Sequence, residues 1–106
     1  MPEFVPVTAA DSIPAGQARA FSVGRYEVAV FHVGGAFFAL RNRCPHQGGP
    51  LAEGWIEGTQ VTCPWHAWTF KLTDGKMTLG DYASVDPFDV RVEGDQVRVS
   101  RTPRPS

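Results

Sequence analysis

Cysteine is scarce in this sequence: two in 106 residues, Cys44 and Cys63. A framework of several disulfides, the usual support of small secreted domains, is excluded. Neither sign of charge is in excess. Ten basic residues face eleven acidic ones, for a net charge of −1. A dedicated nucleic-acid binder needs a basic field to displace counterions from phosphates, so that class is disfavoured. No apolar run approaches the roughly 20 residues that cross a bilayer as a helix. The opening "MPEFVPVTAA" lacks the basic end and long apolar stretch of a secretion signal. The expected compartment is the cytoplasm, where two cysteines are reduced thiols or metal ligands rather than a staple. There is also no convincing helix of ten residues, no linker, no dinucleotide-binding fingerprint and no phosphate loop.

Turn residues and alternating strands fill the space these absences leave. Eleven glycines and nine prolines accompany 42% hydrophobic and 20% charged residues, which suits an all-β chain with short strands. One domain over residues 1–106 is expected, with a frayed tail at 102–106. "FVPVT" (4–8) reads as an edge strand, because Pro6 cannot donate to a ladder. "AADSIPAG" is a turn with room for one helical turn before Pro14. "ARAFSV" (18–23) and "YEVAVFHV" (26–33) are strands. In the latter, Tyr26, Val28 and Val30 share one face and Ala29, Phe31 and Val33 the other. Gly34-Gly35 is a hairpin signal, with "AFFALRN" as the return strand. "WIEGTQV" reads as a short hairpin around Gly58. "FDVRVEGDQVRVS" is a longer one around Gly94-Asp95, with Val90, Val92, Val97 and Val99 on one face. Gly54, Gly58 and Gly75 read as plain turn residues. His32 is an ordinary strand residue.

Both cysteines and two of the three histidines fall in two loops, "CPHQGGPLAEG" (44–54) and "CPWHAW" (63–68). The pattern is Cys44-x-His46, sixteen residues, then Cys63-x-x-His66. Three readings compete. A Cys44–Cys63 disulfide explains the cysteines and leaves the histidines idle. Structural zinc accepts both ligand types, although a mixed Cys/His pair in each loop is unusual for it. A [2Fe-2S] cluster with two thiolates on one iron and two imidazoles on the other takes one ligand per iron from each loop.

The four ligand positions, their spacing, the glycines of the first loop and the β-rich surroundings resemble the Rieske family from about Tyr26 to the end. The resemblance implies an antiparallel β-sandwich with two cluster-binding loops at one end. It also implies one [2Fe-2S] cluster per chain, held by Cys44, His46, Cys63 and His66. Gln47, Gly48, Gly49, Trp65 and Trp68 would surround that cluster, with Gly48 and Gly49 letting backbone N–H groups approach sulfur. Pro45, Pro50 and Pro64 would stiffen the loops. The outer edges of His46 and His66 would face solvent, where Trp65 could contact a partner, and electron uptake would couple to protons at alkaline pH. With two ferric irons, two sulfides and two thiolates, the oxidised centre is formally neutral and accepts an electron more readily than a four-thiolate cluster.

The chain is too short for an additional mononuclear iron domain, so the resemblance implies an electron carrier. It would link an NAD(P)H-dependent flavoprotein reductase to an aromatic-ring dioxygenase or monooxygenase, as a monomer. The small subunit of NAD(P)H-dependent nitrite reductase is the alternative, and a zinc-stabilised β interaction module lies outside redox chemistry. Glu53 and Glu57 read as a solvated rim or as acids facing a basic patch on a reductase. Leu51, Trp55, Trp65, Trp68 and Phe70 are expected to hold the loops by packing.

One departure from part of the family sets a measurable quantity. High-potential members carry an extra cysteine in each loop and bond the two together. The matching positions here are Gly49 and Trp65. Those members also supply hydroxyls where this chain has Trp68 and Phe70. Fewer donors stabilise the reduced cluster less, so the midpoint should lie near the low end of the Rieske span, about −150 mV. A redox titration checks this, and a strongly positive midpoint would contradict it.

Overall fold

The computed structural model describes residues 3–44, 49–64, 68–78 and 84–104. Among these are ten strands, two 3-10 turns and no α-helix. None of the described helical segments is long and apolar enough to cross a membrane. The strands are β1 (Phe4–Ala9), β2 (Gln17–Val23), β3 (Tyr26–Val33), β4 (Ala36–Arg41), β5 (Trp55–Glu57), β6 (Gln60–Thr62), β7 (Thr69–Lys71), β8 (Pro87–Phe88), β9 (Val90–Glu93) and β10 (Gln96–Ser100). They form three antiparallel sheets, ordered β1-β10-β9, β2-β3-β4-β8 and β5-β6-β7.

Strand β3 organises the whole. Its alternation places Val28 and Val30 on one face and Ala29 and Phe31 on the other, and all four are fully buried. A strand at the centre of a sheet covered on both faces reads as a continuous apolar run, as β3 does. On the Val28 face, Val97 and Val99 of β10 pack with Ile13, Val23, Ala39 and Phe88, closing a sandwich between the first two sheets. On the Phe31 face, Val61 and Phe70 of the small third sheet pack with Leu40, Leu51, Leu72 and Val85. Cys44 and Cys63 belong to this second cluster.

The hairpins follow their turn chemistry. Gly34 and Gly35 take φ of 59° and 79° between paired Val33 and Ala36, the doubly left-handed geometry of a tight hairpin. Strand β1 lies at a sheet edge, and its register against β10 shifts between Pro6 and Thr8. Ala10–Ser12 is the expected single helical turn. His32 sits on β3, stacked on Phe37 with ring centroids 4.3 Å apart, and its Nδ1–H donates to the Ile13 carbonyl at 2.7 Å.

Several features differ from the sequence reading. Trp55 is not a core residue; it is 63% exposed. Its neighbour Ile56 packs inward against the cysteine cluster, and the two-residue strand period turns the indole outward. Val92 is likewise 46% exposed, while Val97 and Val99 are buried. Strand β8, two residues paired with β4, is an additional element. Along the stretch expected to fray, the Arg104 N–H donates to the Pro87 carbonyl at 2.7 Å and its guanidinium pairs with Asp89 at 3.1 Å.

Gly54 is not a left-handed turn residue. Its backbone is extended, at φ −79° and ψ −177°, a conformation any residue adopts. A Cβ at this position would land on the Thr62 carbonyl oxygen, so glycine lets the chain cross the end of β6 in close contact. Gly58 and Gly75 do take positive φ, as turns require. Replacing glycine by alanine at an unstrained φ ordinarily stabilises by about 0.4–1 kcal/mol through the unfolded chain. Here overlap reverses the sign: Gly54→Ala should lose about 1–3 kcal/mol. Urea unfolding measures it, and a stabilised variant would refute the close-approach argument.

Candidate metal centre

The first loop leaves β4 at Arg41 and returns through a 3-10 turn at Leu51–Glu53. Asn42, 7% exposed, ties the two ends together. Its backbone N–H donates to the Glu27 carbonyl at 2.8 Å, and its Oδ1 accepts the Ala52 N–H at 2.8 Å. Leu51 is fully buried and anchors the returning chain in the core. Between these points the Cys44 N–H donates to the Gly49 carbonyl at 2.8 Å.

The second loop joins β6 to β7. Thr62 and Thr69 face each other in register at its base, and their hydroxyls are 3.0 Å apart. Inside that base the Cys63 N–H donates to the Trp68 carbonyl at 2.8 Å. Trp68 is half-buried and packs on the cysteine cluster, as expected. The two loops are therefore closed alike. In each, a cysteine at the start donates its backbone N–H to the carbonyl five residues further on. The sequence patterns Cys-x-His and Cys-x-x-His conceal this equivalence. These two N–H groups are committed to loop closure, so other backbone donors must serve sulfur.

Both thiols are buried and not bonded to each other. Their surroundings are apolar: Phe31, Leu40, Leu51, Val61, Phe70 and Leu72 share the cluster. Cysteine binds metal as the thiolate. The ion pairs among the described residues, Arg41–Asp86, Arg101–Glu3 and Arg104–Asp89, join exposed side chains. Two buried thiols, not joined by a disulfide and brought to one core by matched loops, suit a soft metal group.

His46, His66, Gln47, Gly48 and Trp65 lie outside the described residues. Gly49 is buried beside the first loop's closing bond. Among the described residues alone, no three His, Cys, Asp or Glu side chains gather as a metal site. Asn42 and the Thr62–Thr69 pair escaped the sequence reading. The available signal was their position, flanking each cysteine-bearing loop, with a capping residue type two places before Cys44.

The Rieske [2Fe-2S] domain family model matches residues 3–89. The ferredoxin component of the alkene monooxygenase system of Xanthobacter autotrophicus is 33% identical over 104 residues, covering 97% of this chain and 85% of that protein. Mouse apoptosis-inducing factor 3 is 34% identical over 87 residues, 79% of this chain; the match spans only 14% of that longer protein. Among solved structures, the ferredoxin in a complex of reduced oxygenase and oxidised ferredoxin of carbazole 1,9a-dioxygenase superposes with a TM-score of 0.89. It is 28% identical, with 97% of each chain covered. A candidate NADH-dependent nitrite reductase small subunit from Mycobacterium tuberculosis superposes with a TM-score of 0.90, at 21% identity and 98% and 99% coverage, a likeness of fold alone.

The role of Asn42 is open to direct test. Asn42→Leu leaves the Ala52 N–H without its acceptor, while Asn42→Asp keeps one. Loss of a partner outside the ligand set typically weakens metal retention about 10- to 100-fold. The leucine variant should release iron to a ferrous chelator correspondingly faster, and the aspartate variant should retain it. Equal release from both would remove Asn42 from the account.

Proposed function

We propose that this chain, which belongs to the Rieske [2Fe-2S] domain family, is a one-electron carrier serving a terminal oxygenase. We assign Cys44 and Cys63 to one iron and His46 and His66 to the other, one cluster per chain. A bound [2Fe-2S] cluster supplies reversible one-electron chemistry at these loops. The rest is the work of the polypeptide. Matched N–H to carbonyl bonds set the two loop ends, Asn42 and the Thr62–Thr69 pair hold the loop bases, and the apolar cluster keeps water from the thiolates. The structural zinc reading gives way to the family membership, and the disulfide reading to two cysteines that are not joined.

The observation that carries the reading is the matched closure of two cysteine loops over one buried cluster. The oxygenase direction is supported by relatives that are ferredoxin components of monooxygenase and dioxygenase systems, one of them in complex with its oxygenase. As the electron donor we propose an NAD(P)H-dependent flavoprotein reductase, and as the acceptor an aromatic-ring dioxygenase or monooxygenase. The carrier would act as a monomer in the cytoplasm, where thiols stay reduced for metal loading. The nitrite reductase alternative rests on likeness of fold alone.

Electron paramagnetic resonance of the dithionite-reduced protein tests the assignment. The expected spectrum has the low average g of a histidine-ligated cluster, and His66→Ala should abolish or alter it while the β fold persists. Colourless protein containing zinc, without iron or acid-labile sulfide, would overturn the proposal.

A further inference from the structure

Trp55 is the one fully described tryptophan that the fold leaves out of its core, and its place in the third sheet is specific. It pairs with Thr62, which pairs in turn with Thr69. These three residues form one cross-strand row on the outer face of β5-β6-β7. Thr62 and Thr69 immediately bracket the second cysteine loop, since Cys63 follows Thr62 and the closing carbonyl of Trp68 precedes Thr69. Neighbouring strands lie about 4.8 Å apart. The exposed indole is therefore one strand spacing from the residue next to Cys63, at the base of the second cysteine loop.

The surroundings of the indole carry a sign. Glu57 lies two residues along β5 on the same face, and Glu53 lies two residues before it at the end of the 3-10 turn; both are exposed. Neither forms an ion pair among the described residues. Lys71 is the cation on that face, two strands from Glu57 in the row Glu57–Gln60–Lys71. Beside Trp55 runs a groove of about 320 Å³, walled by Ala52 and Gly54 on one side and Gly16, Gln17 and Ala18 on the other. A large exposed aromatic with unpaired acids around it is a recognisable interface element: the aromatic supplies a desolvated anchor and the rim charges steer encounter.

We propose that Trp55, Glu53 and Glu57 form the docking face for the electron acceptor, which presents lysine or arginine residues around an apolar recess that receives the indole. This rests on the electron-carrier reading and adds the chemistry of the partner's surface to it. Charge complementarity selects a basic partner, and the register of Trp55 beside the second loop puts the contact next to the metal site. Docking there sets the acceptor against the strand pair that carries the second cysteine loop.

The test uses the reduced holoprotein and ferricytochrome c, a basic haem protein with the stated surface chemistry. One electron leaves the carrier and reduces ferric haem to ferrous, followed by stopped-flow absorbance. Trp55→Ala and the double variant Glu53→Gln/Glu57→Gln should each lower the second-order rate constant about 10-fold at low ionic strength. The deficit of the charge variant should shrink in ~0.5 M salt, where exposed charges are screened. Arg91→Gln, on β9 of the opposite sheet, should match the unmodified protein. Iron content and the reduced spectrum are measured for every variant, so an absent cluster sinks the carrier reading itself. An intact cluster with unchanged rates in both variants overturns the docking face and leaves that reading standing.

Discussion

Cys44 and Cys63 each spend their backbone N–H on a carbonyl five residues downstream, and each buries its thiol in the same apolar cluster. Two thiols so placed, one from each loop, are the soft donors that a metal group takes as ligands. The two loop bases and the cluster floor hold this placement. The Thr62–Thr69 pair holds one loop base, the Asn42 amide holds the other, and Leu51, Val61 and Phe70 form the apolar floor. No disulfide joins the loops, so packing and these few bonds do the clamping.

The two faces of β3 divide the labour. The face bearing Val28 and Val30 closes an ordinary sandwich with β10, remote from the cysteines in packing terms. The face bearing Ala29 and Phe31 carries the cluster to which both cysteines belong. Rigidity made on one side of a single strand thus supports a metal site on the other. That arrangement suits an electron carrier, whose geometry should change little between oxidation states, and which presents its loops to a partner rather than enclosing a substrate.

The outward row of the third sheet has a separate duty. Its inward residues Ile56, Val61 and Phe70 pack into the core, which leaves Trp55, Thr62 and Thr69 on the outer face, the indole exposed and the threonines half-buried. The same period of two that builds the floor of the metal site thereby displays an indole and an acidic rim at its edge. Binding surface and metal site are two sides of one small sheet.

Much of this was legible in the residues themselves. The Gly34-Gly35 hairpin, both strands of the 55–62 hairpin, the two faces of β3 and the pairing of the two Cys/His loops all follow from local rules about turns, alternation and ligand type. These are properties of short segments, and a linear pattern contains them. The outward turn of Trp55, the close approach at Gly54, the latch at Asn42 and the small strand β8 were not legible. Each depends on which other segment lies against it: alternation says that two faces differ, but only the opposing sheet decides which one is buried. The amino-acid sequence determined the elements and the chemistry of the loops. The tertiary structure alone decided that both loops close in the same way over one cluster, because a bond between Cys44 or Cys63 and a carbonyl five residues away exists only when the surrounding sheets hold both ends in place.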